Sequence, residues 1–252
     1  MDSLKKKATH YTSAENTGAQ LLADEASRQS KAKKIRRVLE EEGVYPDQAI
    51  TLLDVGCSRG LILKNLVWGT RFCVGIDMDQ HVRAPEGENA AFVRGNAEEL
   101  PFISSCFDIV ICNQVYEHTE NPEWLMKEIR RIMKPSGTCY FAGPNKYSII
   151  EPHYGLPFLS WCPRSVADIY VRITGRGTSY PERPYSYSRL LMMLKDFDIR
   201  DYTGPVVSDP LRFHASDELR PGSLKWYIAN MVFRLCPFLM PGYIFVLRKK
   251  NA

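Results

Sequence analysis

Apolar positions along the chain fall into two rhythms. From about residue 17 to 42, Ala19, Leu22 and Ala26, then Ile35, Val38 and Leu39, recur at three- and four-residue spacing. That spacing predicts one helix with a single buried face, and Gly43 is placed to end it. Short apolar runs then alternate with helical spacing. Thr51 to Val55, Phe72 to Ile76, Ala91 to Arg94, Phe107 to Cys112 and Thr138 to Ala142 read as strands. A helix from about Gly60 to Leu66 follows the first. Another opens with Asn121 as cap and Pro122 in its first turn, buries Leu125, Ile129, Ile132 and Met133, and stops before Pro135-Ser136-Gly137. The unbroken run Ile109-Val110-Ile111-Cys112 suits a strand covered on both faces. Strand–helix–strand repetition predicts a parallel sheet with helices on both sides.

After Gly143 the rhythm changes. Residues 144 to 185 are rich in proline and aromatics, with one helix, about Ser165 to Thr174, closed by Gly175. This reads as an insertion after the fifth strand. The sheet pattern then resumes: Tyr187 to Leu194 helical, Phe197 to Tyr202 strand-like, a helix near Ser223 to Leu235, and Tyr243 to Arg248 as a closing strand. The expected plan is one domain over 1–252, comprising an N-terminal helical segment (1–45), a core (46–143), a cap (144–185) and the remainder of the sheet (186–252).

Composition narrows the classes. The chain has 44% apolar and 25% charged residues, enough for a core, and a net charge of +4, too mild to imply a nucleic-acid partner by itself. Lys5 to Lys7, Lys31 to Arg37 and Arg248 to Lys250 concentrate the basic residues and read mainly as solvated surface. None of the seven cysteines forms a C-x-x-C pair. That favours reduced thiols in a cytoplasmic protein over a disulfide framework or zinc site. Met1 to Gln20 lacks the apolar core of a signal peptide. Trp226 to Leu247 is apolar, but Arg234, Pro237, Pro241 and Gly242 split it into a helical and a strand-like piece rather than a span.

The chemistry concentrates after the first strand, in Asp54-Val55-Gly56-Cys57-Ser58-Arg59-Gly60. Gly56 would let backbone approach a ligand closely, and Gly60 would let a helix start against the strand, its N–H groups aimed at whatever binds there. An ordinary strand-to-helix turn has the same look. Asp77, ending the second strand, changes the picture, because a carboxylate there can accept from both ribose hydroxyls of an adenosine.

With these motifs the sequence resembles the class I S-adenosylmethionine-dependent methyltransferases. Asp54, Gly56 and Gly60 match that family's first motif, with Ser58 where glycine is common, and Asp77 matches its ribose-binding acid. Gly95 to Phe102 looks like its third motif, with Asn96 replacing the usual aspartate toward the adenine amino group. Phe107 to Val110 and Asn113 to His118, with a Glu-His pair, look like its fourth, and Lys134 to Gly137 and Gly143 to Asn145 bracket the fifth strand. The resemblance implies a Rossmann-like, doubly wound, mostly parallel sheet with one antiparallel C-terminal strand. It extends the cofactor set to Cys57, Met78, Ala97, Asn113 and Gln114. The core resembles ubiquinone- and menaquinone-methylating enzymes, whereas Glu151 to Phe158 looks more like methyltransferases of polysaccharide and glycolipid assembly.

Methyl transfer from a sulfonium is largely a matter of positioning, and a hydroxyl nucleophile also needs a base. The resemblance thus implies S-adenosylmethionine as cofactor, with S-adenosylhomocysteine as product. No compact His/Asp/Glu set stands out along the chain, so no metal is expected. His153, beside Glu151 in an insertion whose aromatics offer flat faces to sugars or quinones, is the favoured base. His118, just past the fourth strand, is the second. Both have structural alternatives, and Tyr116 reads more readily as packing than as a substrate platform. The expected reaction is O-methylation of a sugar, glycolipid or other small hydroxyl acceptor, with peripheral membrane contact if that acceptor is lipid-linked. C-methylation of a quinol, N-methylation of a small amine and a cofactor-binding adaptor are the alternatives. A dehydrogenase is disfavoured because the turn is not G-x-G-x-x-G. A base-methylating enzyme is disfavoured because Asn113-Gln114-Val115-Tyr116 stands where Asn/Asp-Pro-Pro-aromatic would.

Overall fold

The structure, a computed structural model, describes residues 18–45, 50–66, 72–79 and 89–250, with side chains from residue 25 onward. Helix α1 is Gly18–Glu41. It is followed by β1 Thr51–Val55, α2 Leu61–Leu66, β2 Phe72–Asp77, β3 Ala90–Arg94, β4 Phe107–Asn113, α3 Pro122–Ile132 and β5 Met133–Pro144. Then come α4 Arg164–Ile173, α5 Tyr187–Met193, β6 Phe197–Asp201, α6 Thr203–Ser208, α7 Leu224–Leu235 and β7 Gly242–Lys249. The strand order is β3-β2-β1-β4-β5-β7-β6. Among the described strands only β7 runs antiparallel, against both β5 and β6, as the family resemblance implied. The winding direction reverses between β1 and β4, so their C-terminal ends frame the crevice in which open α/β sheets bind ligands.

Apolar side chains leave the central strands alternately to the two faces. Leu53, Val55, Val74 and Val110 meet Leu125, Ile129 and Leu190 on one side. Leu52, Cys73, Ile109 and Ile111 meet Ile35, Val38, Leu39 and Leu63 on the other. The apolar run in β4 is thus divided between two cores, which a strand with a solvated face could not support. Helix α3 starts as expected: Asn121 accepts the Trp124 N–H, a cap of the kind that contributes about 1 kcal/mol.

The structure departs from the pattern at identifiable places. Ala26 is exposed, and the buried stripe of α1 begins at Ala32. Around residue 25 the helix meets α2 through the exposed Glu25–Lys64 pair rather than an apolar seam. Ala19 and Leu22 lie outside the described side chains. Strand β5 begins at Met133, five residues before the expected start, because Lys134 to Gly137 form a bulge between the pairs Phe107↔Met133 and Ile109↔Thr138. Asp108 closes that bulge, accepting from Lys134 Nζ at 2.8 Å and from the Thr51 backbone N–H at 2.9 Å. No helix occurs within residues 95–106, so strand and helix do not alternate strictly there. Helix α6 was not expected from the sequence pattern; its Gly204 makes room for the Phe233 ring of α7. Trp226, Ala229, Val232 and Phe233 of α7 pack partly on the core, while Tyr227, Ile228, Met231 and Leu235 are exposed. Among the described residues, no helix is long and apolar enough to cross a membrane.

Candidate active site

The residues marked for cofactor binding gather at the C-terminal ends of β1 to β4. Asp54 is buried, and its Oδ2 has no hydrogen-bond partner. Burial, then the charge of Asp77, pushes its carboxyl up to about 7, with Arg28 opposing. The turn after β1 is tied to β2 by the Gly56 and Cys57 N–H groups, both donating to Ile76 O. Gly56 has φ +70°, and a Cβ there would lie 2.7 Å from Val115 Cγ2; at Gly60, φ +69°, it would strike the Phe92 ring. Both glycines are therefore needed for backbone conformation and for packing. Ser58 adopts φ +49°. Its small size fits, but glycine would suit this place for a different reason, the left-handed backbone, which costs a serine about 1 kcal/mol.

Asp77 pins this turn, Oδ2 accepting the Ser58 N–H at 2.7 Å and Oδ1 the Asp79 N–H at 2.9 Å. Each oxygen retains a further lone pair, enough for a diol. Met78 follows, exposed. Asn96 is exposed and its Oδ1 accepts the Glu98 N–H at 3.0 Å, while Ala97 packs against the core. Asn113 ends β4, and Gln114, at φ +58°, donates its N–H to Ala142 O. Arg28 of α1, not foreseen in the sequence, lines a crevice with Cys57, Ser58, Arg59, Leu61 and Ile62. A larger cleft of about 560 Å³ lies at the other end of the strands, bordered by Ile50, Asp108, Ser136 and Thr138, and holds none of the residues marked for cofactor binding.

A second cluster forms where the chain leaves β4. Tyr116 is fully buried. Its hydroxyl donates to Pro144 O at 2.5 Å and accepts the Tyr185 N–H at 3.0 Å. One side chain thus ties together both ends of the insertion. Its ring packs on Phe141 and Tyr185 and fits because Gly143 has no Cβ. The packing role is the one realised.

Glu117, the next residue, has a fully buried carboxyl with neither oxygen hydrogen-bonded. Burial above all pushes it up to about 8. His118 Nε2 stands 3.7 Å from Glu117 Oε1, and burial, with the nearby His153, holds its imidazole down at about 4. His153 sits in a loop closed by the Ile150–Pro157 bridge. Buried Glu151 accepts the His153 and Tyr154 N–H groups on Oε2 and lies 2.9 Å from His153 Nδ1 through Oε1. Burial opposes the charged imidazole, yet the hydrogen bond and charge of Glu151, with Glu117 and Glu182 behind it, hold His153 above its ordinary value. The two histidine rings meet edge to face, centroids 5.2 Å apart.

The two histidines read as alternative bases are therefore neighbours. Glu117 was visible only as half of a Glu-His pair; an acid followed by histidine directly after an apolar strand was the available signal. No compact His/Asp/Glu set stood out along the chain, but the fold assembles one in space. Glu117, His118 and His153 offer donor atoms all within 4.8 Å of one another, a grouping invisible to spacing because 35 residues separate the histidines. None of the seven cysteines is in a disulfide, and four of them are buried.

Comparison with known proteins follows the same lines. Residues 53–141 match the methyltransferase domain family. Over 128 residues the chain is 28% identical to the ubiquinone biosynthesis O-methyltransferase of Coxiella burnetii, covering 44% of this chain and 55% of that protein. The chain thus spans about half the length of such relatives. Among solved structures, the plantazolicin methyltransferase BamL, in complex with a triazolic desmethylPZN analog and SAH, superimposes with TM-score 0.54 at 14% identity, covering 99% of this chain and 91% of that one. The [4+2]-cyclase SpnF does so with TM-score 0.52 at 19% identity, covering 100% and 93%. The fold alone therefore does not fix the reaction.

Proposed function

The chain carries a class I S-adenosylmethionine-dependent methyltransferase domain, and on that premise we propose that it methylates a hydroxyl of a sugar, a glycolipid or a related small acceptor. The observation that carries this reading is the Glu151–His153 pair, 2.9 Å apart, beside His118 at the exit of β4. The cofactor, when bound, supplies an electrophilic methyl on a sulfonium. The turn from Gly56 to Gly60, including Cys57 and Ser58, would hold its methionine part, with the buried, unpartnered Asp54 Oδ2 behind it. Asp77 would take the ribose diol and Asn96 the adenine amino group, with Met78, Ala97, Asn113 and Gln114 lining the site.

At the acceptor, Glu151 holds Nδ1 of His153 and so directs Nε2 to the hydroxyl proton, the logic by which a carboxylate orients a histidine base. A pKa above the ordinary value suits proton capture near neutral pH. His118, kept neutral by burial, is the second candidate. Tyr147, Trp161 and Phe158, which meet edge to face at the insertion surface, supply flat apolar faces for the acceptor. The exposed face of α7, near Lys225 and Arg234, would rest on a membrane if the acceptor is lipid-linked.

The test is a screen of sugars, glycolipids, quinols and amines with methyl-labelled cofactor. Label on a hydroxyl oxygen is expected. Label on a quinol carbon or an amine would remove the hydroxyl reading, and no transfer to any class would leave a cofactor-binding adaptor.

A further inference from the structure

We infer that Glu117, His118 and His153 form a three-donor site for one divalent transition metal of the zinc type. Their donor atoms lie within 4.8 Å of one another. In a tetrahedral site with bonds of about 2.0–2.2 Å, donors stand roughly 3.3–3.6 Å apart, so a side-chain contraction of about 1 Å closes the set. Two imidazoles and one carboxylate are the donors of catalytic zinc and of the iron(II) facial triad, and they suit such ions better than magnesium.

Two further observations point to a cation. First, Glu117 is fully buried and neither of its oxygens has a hydrogen-bond partner, an arrangement that is costly unless something occupies it. Second, the outer support is already built. Glu151 Oε1 holds His153 Nδ1 at 2.9 Å, which leaves Nε2 as the donor, the carboxylate–histidine–metal relay that sets ligand orientation and basicity. Glu151 is itself fixed by two backbone N–H groups. Glu182, also buried, adds to the negative field.

Three protein donors leave a coordination position open. Resting on the proposed hydroxyl transfer, that position would take the acceptor oxygen and ease loss of its proton to solvent. The oxygen then bonds the methyl carbon while the cofactor's sulfur keeps the electron pair of the broken bond. His153 acts as base only when the cation is absent, since both roles use Nε2.

The test needs neither cofactor nor acceptor. Tag-free protein is stripped with EDTA, dialysed and titrated with Co²⁺ under visible spectroscopy, then with Zn²⁺ by calorimetry. One equivalent of Co²⁺ with tetrahedral d–d bands and no thiolate charge-transfer band is expected. Glu117→Gln, His118→Gln and His153→Gln should each weaken binding roughly 100-fold or more, and Glu151→Gln about 10–100-fold. Retained S-adenosylhomocysteine affinity would show that each variant is folded. Absence of stoichiometric binding, a thiolate band, or binding that survives in the Glu117→Gln/His153→Gln double variant would overturn the site. Failure here with methyl transfer intact leaves His153 as the base; binding here with no methyl transfer removes the proposed reaction and leaves the metal site.

Discussion

The edge proposed for the cofactor and the cluster proposed for the acceptor are built by opposite means. At the edge, the turn after β1 is fixed by backbone: left-handed glycines, amides donated to Ile76 O, and Asp77 holding the Ser58 N–H. At the cluster, the groups are side chains brought from 35 residues apart, a buried Glu117 beneath the partly exposed His118 and His153, in a loop that Tyr116 ties at both ends. The first arrangement uses local sequence to shape a cradle. The second uses tertiary packing to hold titratable groups where water would otherwise satisfy them. If this contrast is right, damage to one region should leave the other measurable.

The largest separation is expected at His153. His153→Ala should lower turnover roughly 10²–10⁴-fold, and His153→Gln nearly as far, since it keeps hydrogen bonding but cannot take the proton. Steady-state kinetics on the acceptor found by the screen would check this. Normal turnover in both variants would make His153 a packing residue.

Next comes the pH response of the edge. The folded-state pKa of Asp54, about 7, lies above its unfolded value because of burial first and Asp77 second. The folded state therefore holds the extra proton, and stability falls as pH rises from about 4 to about 7, then levels off. Asp54→Asn should remove that fall, on the order of 2–4 kcal/mol between pH 4.5 and pH 8, as read by urea unfolding. Parallel pH curves for parent and variant would contradict the burial argument.

Tyr116→Phe leaves Pro144 O and the Tyr185 N–H without their buried partner, at a cost of about 1–3 kcal/mol. Because it loosens the insertion and not the edge, acceptor KM should rise while S-adenosylhomocysteine affinity holds. Equal losses of both would merge the two regions. The smallest effect is Ser58→Gly, expected to stabilise by about 0.5–1 kcal/mol by relieving the left-handed backbone. A loss of stability would mean the hydroxyl matters more than φ.

The same contrast explains what the sequence disclosed. The turn built by Asp54, Gly56, Gly60 and Asp77 was legible because its geometry depends on neighbours a few residues away and on the ends of two strands. The single antiparallel strand was implied by the resemblance to the methyltransferase family, with Tyr243 to Arg248 as the late apolar run that supplies it. Arg28 was not legible, because it reaches the turn from a helix whose solvated and buried faces periodicity placed incorrectly near Ala26. Nor was the Glu117–His118–His153 grouping, since no spacing rule relates residue 118 to residue 153. Only the closure of the insertion through Tyr116, Pro144 and Tyr185 brings them together. Glu151 beside His153 and Glu117 beside His118 were the parts of the cluster written locally; their meeting in space was not.

The measurement that bears most directly on the account is calorimetric titration of S-adenosylhomocysteine into the parent, Asp77→Ala and His153→Gln proteins. The parent should bind one equivalent. Asp77→Ala should lose about 1.5–3 kcal/mol of binding energy, as a charged acceptor to the ribose is removed, and His153→Gln should bind like the parent. A parent that does not bind, or an Asp77→Ala variant as tight as the parent, would contradict the cofactor edge; a large loss in His153→Gln would contradict its separation from the acceptor cluster.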